Sequence, residues 1–218
     1  ASKAFTKCTG IAINWNGTNS FESQLPVRVQ GGTAPDLALI PQPGLIQAMV
    51  ATGKAVPAPS AVVANVNRYW SKGWKGYGSV GRRLYAAPNS ANLKSLVWYS
   101  PKLFQKNGYT VPTTWNDMFT QSDKMAAAGQ TAWCGGLGSG TATGWPGTDW
   151  LEEVVVREAG PAVYANWISH KVKFSDAPII HAMNTVWSWL GNSKYVGTVS
   201  TIATTTFQAA GQGIPTGK

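Results

Sequence analysis

The sequence predicts an α/β fold in which short strands alternate with helices, and two observations carry that expectation. Between residues 11 and 40 a β-rich run, a helical pattern and a continuous apolar run follow one another, the order of a parallel strand–helix–strand unit. Further along, β-forming runs such as "SLVWY" and "TAWCGGLG" flank two segments with well-marked helix starts and stops. The chain has 218 residues, 44% of them hydrophobic, enough for one large domain or two small ones, each with its own core.

The elements follow in order. Ile11 to Trp15 reads as a strand after a turn at Gly10, closed by Asn16-Gly17. A helix over "FESQLPVRVQ" is entered from Asn19 or Ser20, with Glu22 near its start and Pro26 limiting its regularity. "PDLALI", bounded by Pro35 and Pro41, reads as a fully buried strand, and Asp36 anchors its start. "GLIQAMVATGKAV" is a helix with Leu45, Met49 and Val50 on one face and a stop at Gly53. The next stretch, through Trp70, Trp74 and Tyr77, is broken by glycines and reads as an irregular aromatic layer. "LYAAPNSANLKSLVWYS" then reads as strand, turn and strand, interrupted by Pro88.

Two helix signals are purely local. "SPKLFQKNG" has Ser100 as N-cap, Pro101 at the first helical position and Gly108 as its stop. "TWNDMFTQSDKMAAAG" pairs Thr114 with Asp117 three residues later, a capping box with Asp in place of Glu. A short strand over "TAWCGGLG" leads into the loop "SGTATGWPGTDW". A helix is expected from Asp149, with Glu152 completing a D-x-x-E capping pair and Leu151, Val154, Val155 and Ala159 on its buried face. "GPAVYANWIS" makes a short helix, and "DAPIIHAMNTVWSWLG" makes an amphipathic one, entered by Asp176 and Pro178, with Ile179, Ile180, Met183, Trp187 and Leu190 at core spacing. The tail from residue 198 shows no helical period.

Composition narrows the chemistry. Charged residues are 12% of the chain, while 11 residues are Trp and 24 are Gly. A surface poor in charge and rich in Trp, Asn, Thr and Gly favours sugars over ions as a ligand class. The net charge of +9 raises nucleic acid as a partner. Its densest basic stretches, residues 68–83 and 169–173, form no nucleic-acid motif, so a solvated basic face is expected and no nucleic acid. No run approaches the roughly 20 apolar residues that span a bilayer, and the start lacks the pattern of a secretion signal, so a soluble chain is expected. Cys8 and Cys134 have no Cys or His at metal-ligand spacing, so no metal site is expected; they are paired together, paired elsewhere or free. With only His170 and His181 present, few mechanisms that need an imidazole base are open. "GGLGSGTATG" lacks both the G-K-[ST] ending and the G-x-G-x-x-G spacing of nucleotide cradles, and no cofactor is expected.

The ordered motifs "TGIAINWNGTNSFESQL", "GGTAPDLALIPQPG", "YAAPNSANLKSLVWYSPKLFQKNGYTVPTTWNDM" and "WCGGLGSGTATGWPGTDWLEEVVVREAGPAVYANW" resemble one family. It is the extracellular solute-binding proteins of sugar-importing ABC transporters, and within it the α-glucoside-type binders. "PNSANLKSLVWY" resembles the family's first crossover between lobes and "GYTVPTTWNDM" the helix pair that follows. The resemblance implies a two-lobed α/β architecture of the periplasmic-binding-protein kind, incomplete in this chain: residues 1–88 as part of the first lobe, residues 89–218 as the crossover and part of the second. Family members are longer, which makes the chain read as an internal fragment. The resemblance implies a mono-, di- or oligosaccharide ligand, a membrane permease as partner, an extracellular or periplasmic location with a lipid anchor as one option, and a cysteine in the missing part available to Cys134.

The family's ligands sit between lobes that close on the sugar. A sugar needs aromatic faces for its C–H surfaces and amides or carboxylates for its hydroxyls. Trp145 and Trp150 offer the first and Asp149 the second, Trp145 being the better cleft residue because it lies outside the expected helix. Asp149 serves equally as a helix cap, and Trp150 as core packing under the first turn. Gln42 and Pro43 stand at the carboxyl end of "PDLALI", where open α/β sheets place ligands, and Asn16, Thr18 and Asn19 hold the equivalent place after the preceding strand. Asn89 and Ser90 in the crossover contact sugar or form a turn. Trp70, Trp74 and Tyr77 are weaker candidates, with structural packing as their default role. A stand-alone lectin-like protein is the rival reading. A glycoside hydrolase would need Asp149 with Glu152 or Glu153, carboxylates better explained as complements to a helix N-terminus.

Overall fold

The computed structural model describes residues 2–216, and these divide into two compact units that meet in sequence between Ala91 and Asn92.

In the first unit, α1 (Ser2–Thr9) is an element the sequence reading did not anticipate, and it buries none of its residues. Helix α2 (Phe21–Gln30) follows Ser20 and tolerates Pro26 inside it, and α3 (Pro43–Ala51) begins with a proline, whose fixed φ suits a first turn. Leu25 and Val29 of α2 pack with Met49 of α3, and Phe21, Ile40, Leu45 and Ala55 close the cluster. The aromatic stretch expected to be irregular is regular instead. It forms α4 (Ser60–Tyr69), α5 (Lys72–Tyr77) and a hairpin of β1 (Ser79–Val80) and β2 (Arg83–Leu84), in register Ser79↔Leu84. Gly81, at φ +59°, supplies the left-handed position that a two-residue hairpin loop requires.

Two of the expected strands of this unit are not strands. Residues 11–15 and the "PDLALI" run are extended or bent backbone without a ladder; Trp15 is 66% exposed and Leu37 91%. Apolar runs become buried strands only when neighbouring strands satisfy their N–H and C=O groups and cover their faces. Among the described residues the only ladder is that of β1 and β2.

In the second unit, the "SLVWY" run likewise forms no strand; it opens on a bend at Ser95, and Trp98 is largely exposed. Helix α6 (Pro101–Asn107) has the expected ends: Leu103 N–H donates to Ser100 Oγ at 3.4 Å, and Gly108 adopts the left-handed cap at φ 65°. Helix α7 (Trp115–Ala127) starts with the expected capping box. Asp117 N–H donates to Thr114 Oγ1 and Thr114 N–H donates to Asp117 Oδ2, both at 3.1 Å.

The core of this unit lies where α8 (Trp145–Glu158), α9 (Gly160–Ile168) and α10 (Ala177–Leu190) meet, around Val154, Val155, Ile179 and Ala182, which are all fully buried. The buried stripe of α10 is Ile179, Ala182, Val186, Trp189 and Leu190. The expected stripe is therefore corrected: Ile180, Met183 and Trp187 face outward, Trp187 at 65% exposure. Both stripes have helical spacing; the small side chains of Ala182 and Val186 let α8 approach closely, so packing selects their face.

The expected strand over "TAWCGGLG" forms no ladder with another strand. Its backbone bonds instead to residues 195–205: Trp133 N–H to Tyr195 C=O at 2.9 Å, Leu137 N–H to Ile202 C=O at 2.9 Å and Gly138 N–H to Thr205 C=O at 2.8 Å. After α11 (Ser193–Val196), the tail from residue 198, read as showing no helical period, winds into α12 (Val199–Ile202), α13 (Phe207–Ala210) and a terminal 3₁₀ turn. These pieces are too short for a helical period to show in sequence.

Candidate functional site

The second unit carries a groove of about 620 Å³ whose walls include Lys94, Trp133, Trp145, Asp149, Trp150 and Trp189. Three of the residues expected to bind ligand, Trp145, Asp149 and Trp150, converge on it, and their placement follows from where α8 begins. Gly144, at φ 107°, makes a turn that L side chains rarely adopt, and Pro146 sits in the first helical turn. The helix thus starts at Trp145, five residues earlier than a helix capped by Asp149 would. Trp145 is the first helical residue rather than a loop residue, and Asp149 lies in the second turn instead of capping the helix.

Freed from capping, Asp149 stands one turn beyond Trp145 on the same face. Its Oδ2 accepts a hydrogen bond from Lys94 Nζ at 2.9 Å, and the same ammonium lies 4.3 Å from the centroid of the Trp145 ring. Ser95 Oγ donates to the backbone oxygen of Asp149 at 3.4 Å. Phe207 crosses Trp145 nearly at right angles, with centroids 4.9 Å apart.

Deeper in the groove, Trp150 meets Trp189 edge-on at 5.2 Å, and Trp189 lies 4.9 Å from Trp133. Trp133 Nε1 donates to Ser122 Oγ at 2.9 Å. Trp150 therefore belongs to the aromatic wall and the core beneath it. Gln121 Nε2 and Trp189 Nε1 are buried in this wall and have no hydrogen-bond acceptor among the described residues. Cys134 is free and exposed at the rim, where partial desolvation pushes its thiol up from the ordinary range. Cys8 is also free and exposed.

The carboxylates required for glycoside hydrolysis do not converge on the groove. Glu152 Oε2 accepts from the Tyr164 hydroxyl at 2.6 Å, Glu153 pairs with Arg157, and neither lines the groove. No group of three or more His, Cys, Asp or Glu residues fit to hold a metal occurs among the described residues.

The remaining candidates belong to the first unit. Asn16, Thr18 and Asn19 are exposed in the loop before α2, where Ser20 N–H donates to Thr18 Oγ1 at 3.1 Å. Gln42 and Pro43 are exposed at the start of α3, and Asn89 and Ser90 are exposed on extended backbone. Trp70, Trp74 and Tyr77 pack on one another, at 5.6 Å and 5.9 Å between successive rings, as a half-exposed aromatic cluster around α5.

The sequence reading missed Lys94, Ser95, Trp133, Trp189 and Phe207. A lone lysine ahead of "SLVWY" carries no signal of its own, because its partners lie more than 50 residues away, 55 in the case of Asp149.

Comparison with known proteins shows the family. The family model described as bacterial extracellular solute-binding protein matches residues 1–215. The osmoprotective compounds-binding protein GgtB of Synechocystis sp. is 38% identical over 203 residues, covering 92% of this chain and 48% of that protein. The alpha-glucosides-binding periplasmic protein AglE of Rhizobium meliloti is 32% identical over 223 residues, covering 96% and 48%. The chain thus spans about half the length of the curated relatives it matches. Among solved structures, a chitin oligosaccharide binding protein superposes with a TM-score of 0.76 at 16% identity, over 99% of this chain and 53% of that one. At that identity the likeness is one of fold: helices alternating with extended runs, as in part of an α/β lobe.

Proposed function

This chain belongs to the bacterial extracellular solute-binding protein family, and from that premise we propose that it is part of a carbohydrate receptor. It binds a di- or oligosaccharide of α-glucoside type, without chemistry, and serves the membrane permease of an ABC transporter. The permease, the sugar and a location outside the cytoplasmic membrane are parts of this proposal. It agrees with the binding properties in the names of GgtB and AglE.

The observation that carries the reading is the pairing of Trp145 and Asp149 one turn apart on α8 at a groove walled by aromatic rings. An indole face takes the C–H surface of a pyranose, and a carboxylate one turn away accepts from its hydroxyls. In the first unit, Asn16, Thr18, Asn19, Gln42, Asn89 and Ser90 are proposed as further hydroxyl-binding groups, with Pro43, Trp70, Trp74 and Tyr77 as apolar contacts.

Isothermal titration of the chain with maltose, trehalose and sucrose tests the reading. Saturable one-to-one heat with at least one of them is expected; no heat with any of the three would refute sugar binding by this chain.

A further inference from the structure

We infer that Lys94 is a specificity-determining residue of the sugar site: its side chain holds the Trp145 ring and the Asp149 carboxylate until an uncharged sugar displaces it. The inference rests on the sugar-binding reading and adds to it a competitor built into the chain.

Two independent contacts place the ammonium where the ligand has to go. It lies 4.3 Å from the Trp145 ring centroid, a cation–π distance, and 2.9 Å from Asp149 Oδ2. These are the two chemical groups a pyranose requires, an aromatic face and a hydroxyl acceptor. Phe207 already crosses the same indole at 4.9 Å, so Lys94 and Phe207 divide the ring's surroundings between them. A sugar stacking on Trp145 therefore meets Lys94 first.

The backbone that delivers Lys94 is held in an uncommon conformation. Ser95 has φ 58°, a left-handed value rare for a residue with a side chain, and its Oγ is bonded to the backbone oxygen of Asp149. Such a conformation persists when its surroundings hold it, and here the bond to Asp149 ties the Lys94 segment to the start of α8. The contact is also reversible. The Lys94 side chain is 52% exposed, so the ammonium moves into water at little cost once a ligand takes its place.

The consequence is a defined pattern of competition. A neutral sugar binds only after the Lys94–Asp149 pair opens, so salt, which screens that pair, strengthens sugar binding. Removing the charge removes the competitor.

The test compares the unmodified chain with Lys94→Gln and Lys94→Arg by isothermal titration with the α-glucoside that gives the largest heat, in about 20 mM and about 500 mM salt, near the two screening limits. The expected results are an affinity about three- to tenfold higher in K94Q, loss of its salt dependence, and retention of both competition and salt dependence in K94R. Equal affinities in all three proteins, or a weaker K94Q, would overturn the inference while leaving sugar binding intact, a weaker K94Q identifying Lys94 as a direct ligand contact. No heat with any of the three proteins would overturn the sugar reading and this inference with it. Circular dichroism of each variant separates loss of binding from loss of folding.

Discussion

Trp150 meets Trp189 edge-on with ring centroids 5.2 Å apart, whereas Trp145, five residues earlier on the same helix, meets the half-exposed Phe207 and the Lys94 ammonium. The two tryptophans of "GWPGTDW" thus divide the work of the segment. Trp150→Ala removes a ring from the core wall and should cost about 3 kcal/mol of unfolding free energy, the low end for a tryptophan because Trp150 is only partly buried. Trp145→Ala should cost much less in stability but weaken sugar binding at least about tenfold. Urea melts and titrations on both variants check the contrast; equal losses of stability would contradict it.

The capping box of α7 sets an acid-side dependence. Hydrogen bonds, first from Thr114 and then from Thr113, hold the Asp117 carboxyl below the ordinary carboxylate range. A depressed folded value means that this contribution is present above the unfolded pKa, near 4, and is lost as pH falls through the folded value. Thermal melts between pH 2 and 6 should therefore show a steeper acid-side decline for the unmodified chain than for Asp117→Asn. Thr114→Ala should lower stability by about 1 kcal/mol at neutral pH through loss of the cap.

On the alkaline side the relevant group is Tyr195. Burial pushes its hydroxyl up from the ordinary range, and the hydrogen bond it donates to Asp123 Oδ1 at 2.9 Å and the charge of that carboxylate add to the shift. A raised folded value means the contribution is complete below the unfolded pKa, about 10, and is lost as pH rises through the folded value. Tyr195→Phe should cost about 1 kcal/mol at pH 7 and flatten the alkaline limb of the stability profile. Urea titrations from pH 7 to 11 read both effects.

Gly136 decides whether the tail can dock. A Cβ at this position would lie 2.7 Å from both Ala210 Cβ and the Thr206 backbone oxygen. Backbone on that side cannot swing away as a flexible side chain would, so Gly136→Ala should cost about 1–3 kcal/mol. It should also accelerate amide exchange at Gly138, whose N–H donates to Thr205 C=O in the same contact.

Legibility in the sequence followed the range of the interaction. Ser100, Pro101, Gly108, Thr114 and Asp117 announced the ends of α6 and α7 because each cap bonds to residues within about one helical turn. The strand readings at residues 11–15, "PDLALI", "SLVWY" and "TAWCGGLG" identified apolar extended segments but not their pairing, since a ladder depends on a partner that no local pattern names. Of the candidate site, Trp145, Asp149 and Trp150 were legible as a cluster of sugar-compatible side chains, whereas the helix cap offered as a second role for Asp149 is not formed. The D-x-x-E spacing was present, but Gly144 and Pro146 started the helix one turn sooner.

By itself the sequence determined the family, the capped helices and the chemical character of the segment "GWPGTDW", because motifs, caps and composition are properties of neighbouring residues. Only the tertiary structure decided which stripe of α10 is buried, which of the two tryptophans supports the core, and that Lys94 reaches Asp149 across 55 residues. Each of those outcomes is a choice between arrangements of equal local propensity. It is made by close packing against α8 and by pairing of charges brought together through folding.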